Sequence, residues 1–242
     1  MSALAPAVGA SRPLILIPAR MASSRFPGKP LAEIDGRPMI LHTLERAREA
    51  GLGPAAVATD SEEIARVVRA AGGTVALTTR AHACGTDRIG EALERLDPLG
   101  AYDAVVNLQG DEPFLPQGAL HAALGLLADA AVDMGTLATP ATEAEADDPD
   151  AVKLVGAEIA PQRLRALYFT RACAPFGPGP RYRHIGVYAF RRAALARFTA
   201  LPPSPLEKRE RLEQLRALEA GMRIDAAVLD KAPPAVDRKP NP

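Results

Sequence analysis

The feature that most constrains this chain is a repeated alternation of short apolar runs with amphipathic segments of helical period. The apolar runs are four to six residues long, which suits buried strands better than helices, and they occupy 14–17, 55–59, 74–79 and 104–108. Helical segments separate them. Strands joined through helices pair in parallel, so the pattern predicts an α/β fold with a mostly parallel sheet flanked by helices.

Local signals mark the helices between these strands. Pro38 suits the first turn of a helix that ends at Gly51, and Asp60–Ser61 suits the start of a second that stops at Gly72. A third helix is predicted over Thr86–Leu96. The spacing therefore predicts consecutive βαβ units over the first half of the chain.

A basic loop follows the first apolar run. Pro18 ends regular pairing, and Arg20, Arg25 and Lys29 then occur among small residues, with Lys29 between Gly28 and Pro30. The carboxyl end of a parallel strand is where open α/β sheets bind ligands, and guanidinium forks with backbone N–H groups suit a polyphosphate. A solvated surface loop is the alternative, but the chain has only five lysines against 24 arginines.

The loop is not a Walker phosphate loop. That motif needs Gly, four residues and then Gly-Lys-Ser/Thr, whereas Gly28-Lys29 is followed by Pro30 and no glycine lies five positions earlier.

An acidic pair follows the fourth strand. The segment 109–113 reads QGDEP, so Asp111 and Glu112 lie just beyond the strand and face the same predicted crevice as the basic loop. Carboxylates there can hold Mg²⁺, which takes one or two of them together with substrate phosphates. The alternative is that they favour the start of a helix near Gln117 through its dipole.

The second half of the chain changes character. Residues 140–150 are acidic and polar and are predicted to form a surface connection, and the strands of 151–190 alternate without clear crossover helices. We therefore expect a smaller, partly antiparallel lobe, in which Arg171, His184 and Tyr188 are polar candidates for a binding site or for structural roles. A single helix over 205–219 and a strand over 223–229 are predicted to follow.

Composition excludes several classes. Lys+Arg and Asp+Glu both total 29, which gives no basis for a nucleic-acid or membrane-surface partner. Two cysteines, Cys84 and Cys173, suggest neither a disulfide framework nor a zinc site. Residues 1–13 do not resemble a signal peptide and are predicted to be a disordered leader. No run is long enough to span a membrane, so a cytoplasmic protein is expected.

The block PARMASSRFPGKPL resembles the amino-terminal signature of sugar-nucleotide cytidylyltransferases, more narrowly the 3-deoxy-manno-octulosonate (Kdo) cytidylyltransferase family, the CMP-Kdo synthetases. Six further blocks resemble that family in the same order: VATDSEEIARVVRAAGG, HACGTDRI, VVNLQGDEP, ALYFTRA, RHIGVYAF and SPLEKRERLEQLRAL. The resemblance implies a Rossmann-like nucleotide-diphospho-sugar transferase fold over 14–232. It also implies a substrate and dimer lobe at about 151–190, ahead of an extended tail over 233–242.

The resemblance also implies a reaction: CTP and Kdo give CMP-Kdo and pyrophosphate for lipopolysaccharide biosynthesis, with Mg²⁺, in a homodimer. The implied catalytic residues are Arg20, Lys29 and Asp111, and the implied metal ligands are Asp111 and Asp237. The implied nucleotide site comprises Ala19, Arg20, Arg25, Lys29, Ala58, Asp60, Cys84, Gly85, Arg88 and Gln109. The implied sugar-acid site comprises Arg171, His184, Tyr188, Glu213 and Gln214.

Three departures from the family pattern keep alternatives open. Cys84 stands where the family usually has serine, the segment 172–183 is short and proline-rich, and the sequence ends VDRKPNP where the family continues into a helix. The alternatives are a cytidylyltransferase for another acidic sugar, such as sialic acid or amino-Kdo, and a catalytically impaired nucleotide-binding paralogue.

Overall fold

The computed structural model describes residues 12–21, 28–79, 82 and 84–231. The strands are β1 Pro13–Ala19, β2 Glu33–Ile34, β3 Arg37–Pro38, β4 Ala55–Thr59, β5 Thr74–Leu77, β6 Ala104–Leu108, β7 Met134–Pro140, β8 Lys153–Ala160, β9 Arg163–Thr170, β10 Tyr182–Arg191 and β11 Ile224–Val228. The helices are α1 Met39–Glu49, α2 Glu62–Ala70, α3 Gly85–Leu96, α4 Ala119–Gly125, α5 Glu143–Asp147, α6 Arg192–Ala200, α7 Pro205–Glu210 and α8 Gln214–Glu219. Short 3-10 turns cover Lys29–Leu31 and Leu126–Ala128.

Nine of the strands form one sheet in the order β5-β4-β1-β6-β10-β7-β11-β9-β8, and β2 and β3 form a separate two-stranded ribbon. Strands β5, β4, β1 and β6 run parallel, which confirms the predicted α/β class. Strand β10 pairs antiparallel with both β6 and β7, and β8 pairs antiparallel with β9. The antiparallel strands of 151–190 therefore continue the main sheet.

The first strand is buried on both faces, as a central parallel strand should be. Leu14 and Leu16 pack into one hydrophobic cluster, with residues of α3, α6 and α8, while Ile15 and Ile17 pack into the other, with residues of α1, α2 and α4. From β1 the chain proceeds to β4 on one side and later returns to β6 on the other. This reversal opens a crevice at the carboxyl ends of β1 and β6, where such sheets bind ligands.

Most of the local predictions are confirmed. The strands at 55–59 and 104–108 have the predicted bounds, and Ser61 caps α2 by accepting a hydrogen bond from the Ile64 backbone N–H. The acidic connection at 140–150 includes α5, whose start is fixed by a capping box between Thr142 and Glu145. The predicted leader and tail lie almost wholly outside the described residues, although Pro13 is already part of β1.

The prediction of one continuous helix over 205–219 is wrong. Arg211 adopts a left-handed conformation with φ 57°, which ends α7 and separates it from α8. Glu210, the last residue of α7, accepts hydrogen bonds from the Thr170 hydroxyl and the Arg171 backbone N–H. The break thus places Glu213 and Gln214 at the start of a new helix.

Candidate active site

A basic pocket of about 240 Å³ lies at the carboxyl ends of β1 and β6. Its walls come from the residues after β1, the turn at Lys29, the start of α3 and the loop after β6. The lining residues are Pro18, Ala19, Arg20, Lys29, Pro30, Met39, His82, Cys84, Gly85, Arg88, Gln109, Gly110 and Asp111. The pocket therefore brings together seven residues predicted for the nucleotide site and Asp111, which is predicted for catalysis and metal binding.

Lys29 and Asp111 face each other within this pocket. Gly28 has φ 74° and caps the 3-10 turn that begins at Lys29, so a glycine is needed where the loop bends. Lys29 Nζ lies 2.7 Å from Asp111 Oδ2, and the lysine side chain is 14% exposed against 47% for the aspartate. Arg25 and Asp237 lie outside the described residues.

A glycine lets the loop after β6 approach the end of β1. A Cβ on Gly110 would lie 2.9 Å from the Pro18 carbonyl oxygen, a distance that real Cβ atoms essentially never show. A side chain at this position would therefore push Asp111 away from the residues that follow β1.

Arg88 forms a buried wall of the basic pocket. Its guanidinium donates to Asp60 Oδ2 at 2.8 Å and to the Thr78 hydroxyl. Asp60 does not line the pocket but holds this arginine in place. Ala58 is fully buried in β4 among core residues, so its side chain lies away from the pocket.

The amino terminus of α3 carries the cysteine that replaces serine. Cys84 is the N-cap residue, and its Sγ accepts a hydrogen bond from the Asp87 backbone N–H at 3.4 Å. Burial raises the pKa of the Cys84 thiol well above its usual value, and the negative charge of Glu213 raises it further. The thiol is therefore protonated at neutral pH.

A second pocket, here the histidine pocket, has a volume of about 330 Å³. It shares Gln109 and Asp111 with the basic pocket, so the loop after β6 is a common wall. The lining residues are Gln109, Asp111, Glu112, Asp150, Val152, Arg171, Arg183, His184, Gly186, Tyr188, Arg211, Leu212, Glu213 and Gln214. All five residues of the predicted sugar-acid site are among them.

His184 is a neutral group in this pocket. Burial lowers the pKa of its imidazole to about 3, and its Nε2 lies 2.9 Å from the Thr136 hydroxyl. The ring also packs edge-on against Phe169, with the ring centroids 4.9 Å apart. His184 can therefore hydrogen-bond a ligand at neutral pH without carrying charge.

Tyr188 and Gln214 form a polar pair on the floor of the histidine pocket. The tyrosine hydroxyl donates to Gln214 Oε1 at 3.2 Å, while Gln214 Nε2 is buried and has no hydrogen-bond partner among the described residues. A buried donor without a partner is costly, which indicates a position built for a ligand oxygen.

Three arginines line the histidine pocket, and two of them, Arg171 and Arg183, are held by other groups of the protein. Arg171 uses Nε to bond the Glu210 carbonyl and Nη1 to bond the Pro149 carbonyl, so the protein fixes the guanidinium while further donors remain. Arg183, on β10, is paired with Glu145 at 2.7 Å. The sequence reasoning missed Arg183, although it directly precedes His184 in the block RHIGVYAF.

The sequence reasoning also missed His82 in the basic pocket. Its Nε2 lies 2.7 Å from Glu91 Oε2, on the third turn of α3. The signal was available, since His82 begins the block HACGTDRI.

A buried arginine joins the two halves of the site. Arg216 on α8 is 2% exposed, forms ion pairs with Asp87 on α3 and Glu207 on α7, and lies over the Phe198 ring. A charge this deeply buried is tolerated because both carboxylates satisfy it. The start of α8, which carries Gln214, is thereby fixed against the start of α3.

The described residues contain no group of three or more His, Cys, Asp or Glu side chains arranged to hold a metal ion. Asp111 is a half-exposed carboxylate on the wall that both pockets share. One such carboxylate with phosphate oxygens from a ligand fits Mg²⁺, which keeps several waters and takes few protein ligands. No helix in the described part of the chain is long and apolar enough to cross a bilayer.

Comparison with known proteins defines the class. The sequence profile of the family described as Cytidylyltransferase matches residues 14–224, so the chain belongs to the cytidylyltransferase family and is a nucleotidyltransferase.

Curated relatives narrow this to the 3-deoxy-manno-octulosonate cytidylyltransferases. The enzyme of that name from Rhodopseudomonas palustris (strain BisB18) is 60% identical over 228 residues, which cover 94% of this chain and 93% of the relative. The one from Xanthobacter autotrophicus (strain ATCC BAA-1158 / Py2) is 60% identical over 233 residues, covering 96% and 91%.

Solved structures agree. CMP:2-keto-3-deoxy-manno-octonic acid synthetase complexed with CTP superposes with a TM-score of 0.84 at 39% identity, over 94% of this chain and 93% of that one. The 4-diphosphocytidyl-2C-methyl-D-erythritol synthase from Anaerococcus prevotii DSM 20548 has a TM-score of 0.63 at 14% identity, over 95% and 94%, and shares the fold.

Proposed function

We propose that this enzyme activates 3-deoxy-D-manno-octulosonate with CTP, releasing pyrophosphate and CMP-Kdo for lipopolysaccharide biosynthesis. The observation that carries the proposal is the common wall of the two pockets. Gln109 and Asp111 border both, so a nucleotide in the basic pocket and a sugar acid in the histidine pocket would meet at one point. The names of the relatives support the choice of substrates.

In this proposal the basic pocket holds the triphosphate. A sugar hydroxyl gives up its proton to water as its oxygen bonds to the α-phosphorus. The bond from that phosphorus to the α–β bridging oxygen breaks, and pyrophosphate leaves with the electron pair. Negative charge moves onto the leaving group, so fixed cations lower the barrier more than any covalent step could. We assign this role to Arg20 and Lys29, which line the basic pocket, and to Arg25 by its position in the sequence.

The histidine pocket is proposed to hold the sugar acid. The fixed guanidinium of Arg171 suits a carboxylate, which it can bind with two parallel hydrogen bonds. Neutral His184 and the unpaired Gln214 Nε2 suit sugar hydroxyl groups. A charged histidine would favour any anion equally, whereas neutral groups select by hydrogen-bond geometry.

Asp111 and Asp237 are proposed to hold Mg²⁺, and Asp237 is assigned to this role by the resemblance to the family alone. When bound, the ion would supply positive charge next to the phosphates. The ion pair with Lys29 holds the Asp111 carboxylate at the basic pocket. Since the proposed substrate is a cytosine nucleoside triphosphate, we place the reaction in the cytoplasm.

We further propose a homodimer. Strand β8 is at the edge of the sheet, and the β8–β9 hairpin exposes Ile159 and Leu167, which are 44% and 58% accessible. Exposed apolar side chains at a sheet edge mark an interaction surface. Sedimentation equilibrium at micromolar concentration should give twice 25.5 kDa. A single species of the monomer mass would contradict the proposal.

The test of the function is pyrophosphate release from a panel of substrates. We expect release with CTP and Kdo in the presence of Mg²⁺, and far less with UTP or with sialic acid. Arg171→Gln should raise the KM for the sugar acid and leave the KM for CTP nearly unchanged. Pyrophosphate release with another sugar acid but not with Kdo would show that the proposed substrate is wrong. CTP binding without pyrophosphate release with any of the sugar acids would indicate an impaired enzyme.

A further inference from the structure

Thr86 lies between the two pockets and lines neither of them. It follows Cys84 and Gly85 in the first turn of α3 and is 1% exposed. Its hydroxyl donates to Glu213 Oε1 at 2.8 Å, and its backbone N–H donates to Glu213 Oε2 at 3.3 Å. One residue behind the basic pocket therefore fixes both oxygens of a carboxylate that lines the histidine pocket.

Further hydrogen bonds extend from the Thr86 hydroxyl towards Gln109. Asn107 Nδ2 donates to the Thr86 hydroxyl oxygen at 3.1 Å, and Gln109 Nε2 donates to Asn107 Oδ1 at 3.2 Å. Asn107 is fully buried, and Gln109 lies on the wall that both pockets share. Four side chains thus form an unbroken hydrogen-bonded chain from one pocket to the other.

The direction of every bond in this chain follows from Glu213. Both Glu213 oxygens accept from Thr86, and the Thr86 hydroxyl, having donated its one proton, accepts from an N–H of Asn107. Asn107 Oδ1 accepts from Gln109 Nε2, so Gln109 Oε1 points away from Asn107. The Gln109 amide lies beside Gly85 of the basic pocket, with Oε1 at 3.4 Å and Nε2 at 3.6 Å from where a Cβ on Gly85 would be.

We infer that Thr86 is a positioning residue that couples the two pockets, by holding the Glu213 carboxylate and fixing Gln109 with its amide oxygen towards the nucleotide. The inference rests on the proposed function for the identity of the two ligands. A ligand in the basic pocket that donates to Gln109 would strengthen the same chain that orders Glu213. Binding in one pocket then organises the other.

Thr86→Val is the direct test, because valine keeps the shape and removes the hydroxyl. It removes the hydroxyl bond to Glu213 Oε1 and the acceptor of Asn107 Nδ2, while the backbone N–H bond to Glu213 Oε2 remains. Leaving a buried polar group unpaired costs more than the bond itself contributes. We expect the KM for the sugar acid to rise roughly 10- to 100-fold with a smaller change in the KM for CTP. Thr86→Ser, which retains the hydroxyl, should stay within about twofold of the parent.

The matched control is Thr139→Val. Thr139 is a buried strand threonine whose hydroxyl has no hydrogen-bond partner among the described residues, so the same substitution removes no bond there. It should leave both KM values unchanged. A general effect of burying valine for threonine would appear in both variants.

Hydrogen–deuterium exchange with CTP alone separates this inference from the proposed function. In the parent, CTP should slow exchange over residues 211–219, and in Thr86→Val this protection should be lost while CTP still binds. Glu213→Gln changes the other partner of the same contact and should also lose this protection. It replaces the valine variant in the test if that variant does not fold. Equal protection in parent and variants, or none in the parent, overturns the inference. A parent that shows the protection yet releases no pyrophosphate with Kdo contradicts only the proposed function.

Discussion

Lys29 Nζ and Asp111 Oδ2 are 2.7 Å apart, although 82 residues separate them in the sequence. The pair joins the loop after β1 to the loop after β6 across the floor of the basic pocket. Lys29 is thereby held at the basic pocket, where we propose that the phosphates bind, and its geometry differs from that of a freely solvated surface lysine.

Lys29→Ala should lower kcat by roughly 10²–10³, the scale of losing one fixed group that stabilises transition-state charge. The measurement is pyrophosphate release at saturating CTP, with circular dichroism to verify folding. Lys208→Ala, at an exposed lysine on α7, is the control and should match the parent. If Lys29→Ala keeps half of the parent activity, the lysine has no catalytic role.

Asp111→Asn should abolish activity, since it removes the carboxylate that we assign to Mg²⁺ and the partner of Lys29. Asp237→Asn should reduce activity strongly but respond to added Mg²⁺, because phosphate oxygens and Asp111 can still hold the ion. A magnesium titration of both variants distinguishes them. If Asp237→Asn follows the parent throughout the titration, the tail is not part of the site.

His184 should make stability fall on acidification. The unfolded chain binds a proton on this histidine near pH 6.5, whereas burial lowers the folded-state pKa to about 3. The unfolded state therefore binds more protons between these values, and the free energy of unfolding must decrease as the pH falls through that window.

His184→Gln should show a shallower decrease than the parent when urea unfolding is measured at several pH values between 7 and 3. His121→Gln, at an exposed histidine on α4, is the control and should follow the parent curve. Parallel curves for His184→Gln and the parent would mean that this imidazole titrates alike in both states.

Cys84→Ser should raise the free energy of unfolding by about 0.5–1 kcal/mol, because serine is a much better N-cap than cysteine. Cys173→Ser, at the exposed cysteine, should leave stability nearly unchanged. Thiol labelling provides a second measurement. Burial raises the pKa of the Cys84 thiol, so a thiolate-specific reagent should modify Cys173 first.

The parallel half of the fold could be predicted from the sequence because the signals that specify it are local. The runs 55–59 and 104–108 are apolar except for Thr59 and Asn107, and Ser61 is a typical N-cap for the helix that follows. Strand β7 and helix α6 were not predicted. In β7 small and polar residues, including Gly135 and Thr136, interrupt the apolar run, and its burial comes from β10 and β11 on either side.

Many of the residues that line the two pockets could be named from the sequence, but the contacts between them could not. The sequence predicts Glu207 and Arg216 as charges on one long helix. The turn at Arg211 separates them onto two helices, and Arg216 pairs with both Glu207 and Asp87. From the sequence, Thr86 is likewise predicted only as the first residue of a helix. Its bond to Glu213 spans 127 positions, and no local pattern reports a contact at that distance.

The common wall of Gln109 and Asp111 also has a consequence for inhibitor design. Because the two pockets adjoin, one molecule could carry a cytidine phosphate and an acidic sugar mimic without a long linker. Once the first half is bound, the second is held at a millimolar effective concentration, so the joined compound can exceed either half in affinity by roughly 10²–10⁴. A compound that occupies both pockets would therefore be more selective than a CTP analogue, which other cytidine-using enzymes can also bind.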